Sequence, residues 1–203
     1  MFKKILIALL TFVMVFSIAA CSKDPVDTNN DGASTPEDTT PETPAITDSL
    51  EILNNVWALY ADEEKFAAAG GDSSEANMSM EGPGRYSLTE SEGFIATMNF
   101  PASEIEKIDD AANLIHMMNL NTFTAAAVRV ANTDDLITVF SAAKENILGT
   151  QWMCGFPEKL VMASIDDTYL VYAYGNGELI ENFKAKLGEA YPNVVFLAEQ
   201  VIE

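Results

Sequence analysis

Apolar and polar residues in the C-terminal half of the chain form six successive patterns, four typical of strands and two typical of helices. Strand-like stretches are short β-branched or apolar runs, and helix-like stretches repeat apolar residues every three or four positions. The order is strand, helix, strand, strand, helix, strand, over residues 123–131, 136–147, 160–165, 168–174, 179–187 and 194–202. Asp134 and Asn176 are suited to cap the two helices, and Asp166-Asp167 suits a tight hairpin.

This order predicts an α+β domain with a ferredoxin-like βαββαβ core. In that fold four antiparallel strands form one sheet, and both helices pack on the same face. The strand at residues 168–174 is apolar on both of its alternating sides, so it needs cover on both faces of the sheet. The second face must therefore meet solvent, the preceding segment or a second copy of the chain.

The preceding segment, residues 47–121, is predicted to be helical or irregular. Asp48 and Glu51 have the spacing of a helix cap, and the apolar stripe that follows them makes this helix the candidate cover for the second sheet face. The rest of the segment predicts a long aperiodic loop, a short strand and a helix, at residues 72–93, 94–100 and 103–118.

The first 20 residues have the features of a bacterial export signal. Lys3 and Lys4 form a basic start, and the apolar run that follows is too short for an ordinary membrane span. The signal closes with Ile18-Ala19-Ala20-Cys21, which resembles the lipobox of bacterial lipoproteins. That resemblance implies cleavage before Cys21 and lipidation of this cysteine. We therefore expect an extracytoplasmic protein that is lipid-anchored to the cell membrane through Cys21.

Residues 21–46 have the acidic, Thr- and Pro-rich composition of a disordered tether, which leaves residues 47–203 as a single domain. Within the tether, residues 27–38 match the first half of a calcium-binding loop. Pro36 interrupts that loop and no helical pattern flanks it, so the match favours a chance occurrence.

The chain is strongly acidic. It has 31 acidic and 11 basic residues, which gives a formal net charge of −20 at pH 7. Such a charge argues against a nucleic-acid partner and against electrostatic docking on anionic lipid. A solvated, secreted surface explains it, so the charge does not by itself indicate a cationic ligand.

The sequence contains no recognisable catalytic constellation. It has one histidine, His116, and apart from Cys21 one cysteine, Cys154. A thiol nucleophile needs a base beside it, and the apolar neighbours of Cys154 favour a small buried side chain. The paired aspartates lie where helix starts and a hairpin use them. We therefore expect a protein that is not an enzyme and uses no metal or cofactor.

The connection at residues 151–157 (QWMCGFP) is the first candidate binding surface. It is apolar and aromatic, although connections between a helix and a strand are normally polar. Trp152, Met153 and Phe156 therefore either fold back on the core or form an exposed contact surface, where Trp and Met are enriched.

Three further residues are candidates for ligand contact. Arg85 lies in a Gly-rich turn, where it either presents its charge to a carboxylate ligand or pairs with one of the many acids. Tyr172 and Tyr174 would line a solute pocket between the sheet and the N-terminal helices.

From about Met98 onward the chain resembles an uncharacterised family of short lipoproteins from anaerobic Gram-positive bacteria. The resemblance rests on the strand at residues 122–130, the helix led by Asp134, and Tyr169-Leu170-Val171 after the hairpin. It implies the same fold and location. Because that family has no assigned activity, it implies no site residues.

The sequence as a whole predicts a non-enzymatic binding or protein-interaction module at the cell surface, of unknown specificity. A homodimer through the sheet face is one arrangement that fits this prediction. The alternatives are a small-solute receptor with the tyrosine-lined pocket, or a thiol-dependent enzyme that uses Cys154.

Overall fold

The computed structural model describes residues 45–202, in which one antiparallel sheet of seven strands lies between two layers of helices. The α-helices of this range are α1 Ser49–Ala58, α2 Ser91–Met98, α3 Leu136–Leu148 and α4 Gly177–Ala190. The strands are β1 Ala68–Ala69, β2 Gly84–Arg85, β3 Ile108–His116, β4 Phe123–Val130, β5 Lys159–Ile165, β6 Tyr169–Gly175 and β7 Val195–Val201. Cys21, the export signal and the calcium-loop match lie outside the described residues.

The prediction of an α+β domain is confirmed, but the ferredoxin-like strand order is wrong. The strands lie in the order β1-β3-β4-β6-β5-β7, and β2 also pairs with β3. In the ferredoxin-like arrangement the last strand, β7, would return beside β4. Instead β7 pairs with β5, and β3 takes the place next to β4.

This strand order also places the two core helices on opposite faces. The connection from β4 to β5 passes over β6, and the connection from β6 to β7 passes over β5 in the same direction across the sheet. Crossover connections are almost always right-handed. The two connections start from β4 and β6, which are antiparallel. Two right-handed connections that start from antiparallel strands and cross the sheet in the same direction must lie on opposite faces.

Both faces of the sheet are therefore covered, each by one core helix and one helix of the preceding segment, so the prediction that both core helices share a face is wrong. On one face α4 packs beside α1, whose buried residues include Ile52, Leu53 and Val56. On the other face α3 packs beside α2, which contributes Phe94 and Met98. Each fully buried side chain of this size contributes about 1.5–3 kcal/mol of transfer free energy, so both layers stabilise the sheet.

Two of the predictions for the N-terminal segment are wrong. Residues 94–100, expected as a strand, lie largely in α2, and residues 103–118, expected as a helix, form a short 3-10 turn followed by β3. Ala111, Ala112 and Leu114 of β3 are all buried, because helices cover both sides of this strand. A strand buried on both faces loses the alternation that identifies strands in a sequence.

The predicted caps at Asp48 and Asn176 and the hairpin are confirmed, but the predicted cap at Asp134 is wrong, because the Asn132 Oδ1 atom accepts a hydrogen bond from the Asp134 amide in the turn before α3. The Asp48 carboxylate accepts a hydrogen bond from the Glu51 amide at the start of α1, and Asn176 accepts one from the Glu178 amide at the start of α4. Asp166 and Asp167 both adopt positive φ angles of about 50° in the three-residue turn, residues 166–168, between β5 and β6. None of the helices in residues 45–202 is both long and apolar enough to cross a membrane.

Candidate functional site

Two loops with almost no charge meet at one end of the sheet. Residues 117–122 connect β3 to β4, and residues 149–158 connect α3 to β5. Apart from Glu158, the last residue before β5, neither loop contains an acidic or basic residue, although 21% of the chain is charged. We call residues 117–122 and 149–157 together the neutral end.

Asparagine side chains join the two loops. The Nδ2 atoms of Asn119 and Asn121 each donate to the carbonyl oxygen of Cys154 at 3.2 Å, and Asn121 also donates to the Gly155 carbonyl oxygen at 3.0 Å. Gly155 has a φ of +98°, a conformation that glycine adopts without strain. The neutral end is thus one hydrogen-bonded unit rather than two independent loops.

The neutral end exposes large apolar side chains. Met118 is 82% exposed, Met153 89% and Phe156 76%, and Met117 is exposed beside them. Single exposed apolar residues are normal on protein surfaces, but several on neighbouring loops indicate a contact surface. Of the two alternatives for residues 151–157, Met153 and Phe156 therefore follow the exposed one.

Trp152 follows the other alternative and folds back on the core. Its ring lies 5.3 Å from that of Tyr174, between ring centroids, and its indole Nε1 is buried without a hydrogen-bond partner among the described residues. Trp152 therefore anchors the loop from below, and its neighbours Met153 and Phe156 point outward.

The tyrosines do not line a pocket, so that prediction is wrong. Tyr172 is fully buried and its hydroxyl donates to the Met98 carbonyl oxygen at 3.1 Å. Tyr174 is 2% exposed, and burial raises the pKa of its hydroxyl to about 12. Both side chains belong to the core between the sheet and the layer of α2 and α3.

Arg85 pairs with acids of its own chain. Its guanidinium contacts the carboxylates of Asp110 at 2.5 Å and Asp48 at 2.7 Å, and Asp110 also accepts the Ser49 amide at 2.6 Å. Burial alone would raise the pKa of Asp48, but the Glu51 amide and the Arg85 guanidinium hold it below its ordinary value. Arg85 thus fastens the start of α1 to β3, which leaves little of its charge for a ligand.

Cys154 is exposed, so the expectation of a buried side chain is wrong. Its carbonyl oxygen is held by the asparagines, and no hydrogen bond joins its thiol to His116 within the described range. The His116 Nδ1 atom accepts the Met118 amide at 3.2 Å, and the ring stacks on Phe66 with centroids 5.5 Å apart. This geometry gives no support to a Cys-His nucleophilic pair.

A polar cavity lies at the β2 edge of the sheet. It has a volume of about 850 Å³, and its walls are residues 72–77 and residues 86–93. The Asp72 carboxylate joins the walls by hydrogen bonds. It accepts one from the Ser74 amide and one from the Asn77 Nδ2 atom of its own loop, and one from the Ser87 amide of the opposite wall. The long aperiodic stretch of the sequence is therefore an ordered part of the fold.

Glycines let the cavity walls approach each other. A Cβ atom added at Gly84 would lie 2.3 Å from the Gly71 amide nitrogen, and one at Gly70 would lie 2.2 Å from the Gly84 amide nitrogen. The Gly71 amide donates to the buried Asn113 Oδ1 atom at 2.5 Å. Two Gly-containing turns thus cross backbone to backbone just before the segments that form the two cavity walls.

Sequence reasoning identified residues 151–157 but missed the loop that completes the surface. Met118 was assigned to the apolar stripe of a helix, whereas it lies in the turn after β3. The signal that identifies both loops is the absence of charge over residues 117–122 and 149–157 in a very acidic chain.

Neither the described residues nor the comparisons assign an activity to this chain. No group of three or more His, Cys, Asp or Glu side chains in the described part of the chain is arranged to hold a metal ion. Comparison with protein-family models, curated proteins and solved structures found no match. The functional argument therefore rests on the geometry of the neutral end and of the polar cavity.

Proposed function

We propose that this chain is a membrane-anchored extracytoplasmic lipoprotein that acts as a non-enzymatic protein-interaction module through its neutral end. The observation that carries the proposal is the exposure of Met118, Met153 and Phe156 on two loops that hydrogen-bond to each other. Met and aromatic residues are enriched, and charged residues depleted, at the centres of protein interfaces.

The neutral end is already organised for contact. The asparagine bonds and the Trp152 anchor hold the loop backbone in place, so little backbone entropy is lost on binding. Burying each exposed Met or Phe contributes about 1.5–3 kcal/mol, and association costs about 4–15 kcal/mol in lost freedom. A contact of this size supports a weak, reversible association.

The charge distribution makes the neutral end the least repulsive contact surface between two copies of the chain, which we take as the partners. Each copy carries a formal charge of −20, so two copies repel each other wherever charged surfaces meet. Contact through the neutral ends keeps the charged surfaces of the two copies apart. Anchoring on one membrane would also raise the effective concentration of copies for each other. The homodimer that we propose therefore forms through the neutral end and not through the sheet face, which is covered.

Sedimentation equilibrium of residues 43–203, a range that forms one compact unit, tests this function. We expect a monomer–dimer equilibrium that the double substitution Met153→Asp and Phe156→Asp weakens at least about tenfold, because it buries like charges in the contact. The matched control is Ile137→Asp, an exposed apolar residue of α3 that lies outside the neutral end.

Three outcomes would contradict the proposal. A wild-type chain that stays monomeric would exclude the second copy as partner. Equal weakening by Ile137→Asp would mean that the contact lies elsewhere. Loss of the dimer by Val195→Asp, on the outer edge strand β7, with no effect at the neutral end would indicate edge-to-edge strand pairing instead.

The lipid anchor is tested separately. Cys21→Ala should release the chain from the membrane fraction into the medium, because the single acylation site is lost. Retention in the membrane fraction after this change would contradict the anchor, whereas the dimer test would be unaffected.

A further inference from the structure

The polar cavity has the chemistry of a binding site that is independent of the neutral end. Its walls carry six hydroxyl groups, from Ser73, Ser74, Tyr86, Ser87, Thr89 and Ser91. A hydroxyl both donates and accepts hydrogen bonds, so a wall of hydroxyls matches a ligand that does the same. The volume of about 850 Å³ lies within the range of small-molecule sites.

The charges around the cavity limit the ligand class. Asp72 and Glu92 are the charged side chains that line it, and no Lys, Arg or His does. Burial alone would raise the pKa of Asp72, but hydrogen bonds from Ser74, Asn77 and the Ser87 amide hold it at about 2, so this carboxylate is ionised at neutral pH. A phosphate, sulfate or carboxylate ligand would therefore be repelled.

Gly93 keeps one wall of the cavity open. It occupies the first turn of α2, where Ala would be about 1 kcal/mol more favourable. A Cβ atom at this position would lie 2.7 Å from the Tyr86 hydroxyl oxygen. The glycine thus leaves room for the Tyr86 hydroxyl at the cavity wall, while the Tyr86 ring packs against Phe94 at 5.2 Å between centroids.

The geometry points to a site for a neutral, polyhydroxylated ligand of the saccharide class in the cavity between residues 72–77 and 86–93. Ligand hydroxyls would exchange hydrogen bonds with the serine and threonine hydroxyls and donate to Glu92. The Tyr86 ring supplies an apolar surface for the C–H face of a sugar ring. This site uses no residue of the neutral end, so it stands or falls independently of the self-association.

Ligand-detected saturation-transfer NMR on the full chain tests the site, in a detergent without a sugar headgroup. The probes are maltotriose and triacetylchitotriose, two neutral oligosaccharides, and spermidine serves as a polycationic probe without hydroxyls. We expect transfer to at least one oligosaccharide and none to spermidine.

Two glycine substitutions separate binding from folding. Gly93→Ala places a methyl group against the Tyr86 hydroxyl, and we expect it to weaken oligosaccharide binding at least about tenfold. Gly188→Ala is the matched control, because it is also a helical glycine but its added Cβ meets nothing within 4 Å. Gly188→Ala should melt at or above the wild-type temperature, since Ala favours helix over Gly. In Gly93→Ala the close contact with Tyr86 offsets that gain, so a native circular-dichroism spectrum and a cooperative melt above the assay temperature show that this variant is folded.

Tyr86→Phe gives a second, milder readout. It removes the hydroxyl and retains the ring that packs on Phe94, so binding should weaken about fivefold, the effect of one lost hydrogen bond. Absence of transfer to both oligosaccharides, equal binding by Gly93→Ala and Gly188→Ala, or transfer to spermidine alone would each overturn the assignment.

Discussion

The two ends of the sheet differ in how they use polar chemistry. At the neutral end the loops carry no charge and expose methionine and phenylalanine. At the opposite end, which we call the acidic end, lie the start of α1 and β3 and the β5–β6 hairpin, where Asp48, Asp109, Asp110, Asp166 and Asp167 cluster. The two ends thus differ in composition: acids cluster at one, and exposed apolar side chains lie at the other, next to Glu158 and Lys159.

The acids of the acidic end have structural roles. Asp48 caps α1 and pairs with Arg85, and Asp110 binds both Arg85 and the Ser49 amide. Asp109 pairs with Arg129 at 2.7 Å on the neighbouring strand β4. Because the fold itself uses these charges, their density does not indicate a ligand. The exposed apolar side chains of the neutral end have no such structural use, and this contrast singles them out as a contact surface.

Removal of the central cation of the acidic end should have the largest effect. Arg85→Met leaves Asp110, which is 8% exposed, and Asp48 without their shared partner. We expect the free energy of unfolding, measured by urea denaturation, to fall by about 2 kcal/mol.

Lys65→Met is the control for that loss. Lys65 lies 3.5 Å from Asp62, whose side chain is 99% exposed, so its removal should change the free energy of unfolding by less than about 0.5 kcal/mol. Equal losses in the two variants would mean that the acidic end is not a structural cluster.

The salt dependence of association should distinguish contact through the neutral end from contact through charged surfaces. If copies meet through neutral ends, their charged surfaces oppose association only at long range. Raising the salt from about 0.01 M to about 0.1 M shortens the screening length from about 30 Å to about 10 Å. We therefore expect the association constant, from sedimentation equilibrium, to rise about fivefold. A fall with salt would mean that ion pairs make the contact, which would exclude the neutral end.

Sequence patterns predicted local features well and long-range placement poorly. The six C-terminal elements, the Asp48 cap and the Asp166-Asp167 turn follow from residues that are close in the chain, and all are present. The position of β7 beside β5 is a choice between two sheet edges that no local pattern encodes. The helix prediction at residues 103–118 is wrong because β3 is buried on both sides and so lacks the alternation that identifies a strand.

The candidate sites show the same limit. The loop at residues 151–157 stood out by its composition, but its partner loop and the asparagines that join them are brought together by the sheet. The polar cavity has walls from two segments, residues 72–77 and 86–93, which the Asp72 bond to the Ser87 amide joins only in the folded chain. Tyr172 and Tyr174 were misplaced because an apolar strand between two helical layers looks the same in sequence as one beside a pocket.

The smallest expected loss of stability is for a substitution of Asp72, an acid that lies at the sheet edge. It tests whether carboxylates outside the acidic end also have structural roles. The pKa of Asp72 is about 2 in the folded chain and 3.8 in a free side chain, so its stabilising contribution is complete above about pH 4 and is lost as the pH falls towards 2. Asp72→Asn should therefore be less stable than wild type by about 1 kcal/mol at pH 7, and this difference should shrink towards zero near pH 2. Thermal unfolding followed by circular dichroism across this range measures it. Glu75→Gln, an exposed acid of the same loop, is the control and should give no such pH-dependent difference. If the deficit of Asp72→Asn were the same at every pH, the hydrogen bonds to its ionised form would not stabilise the loop.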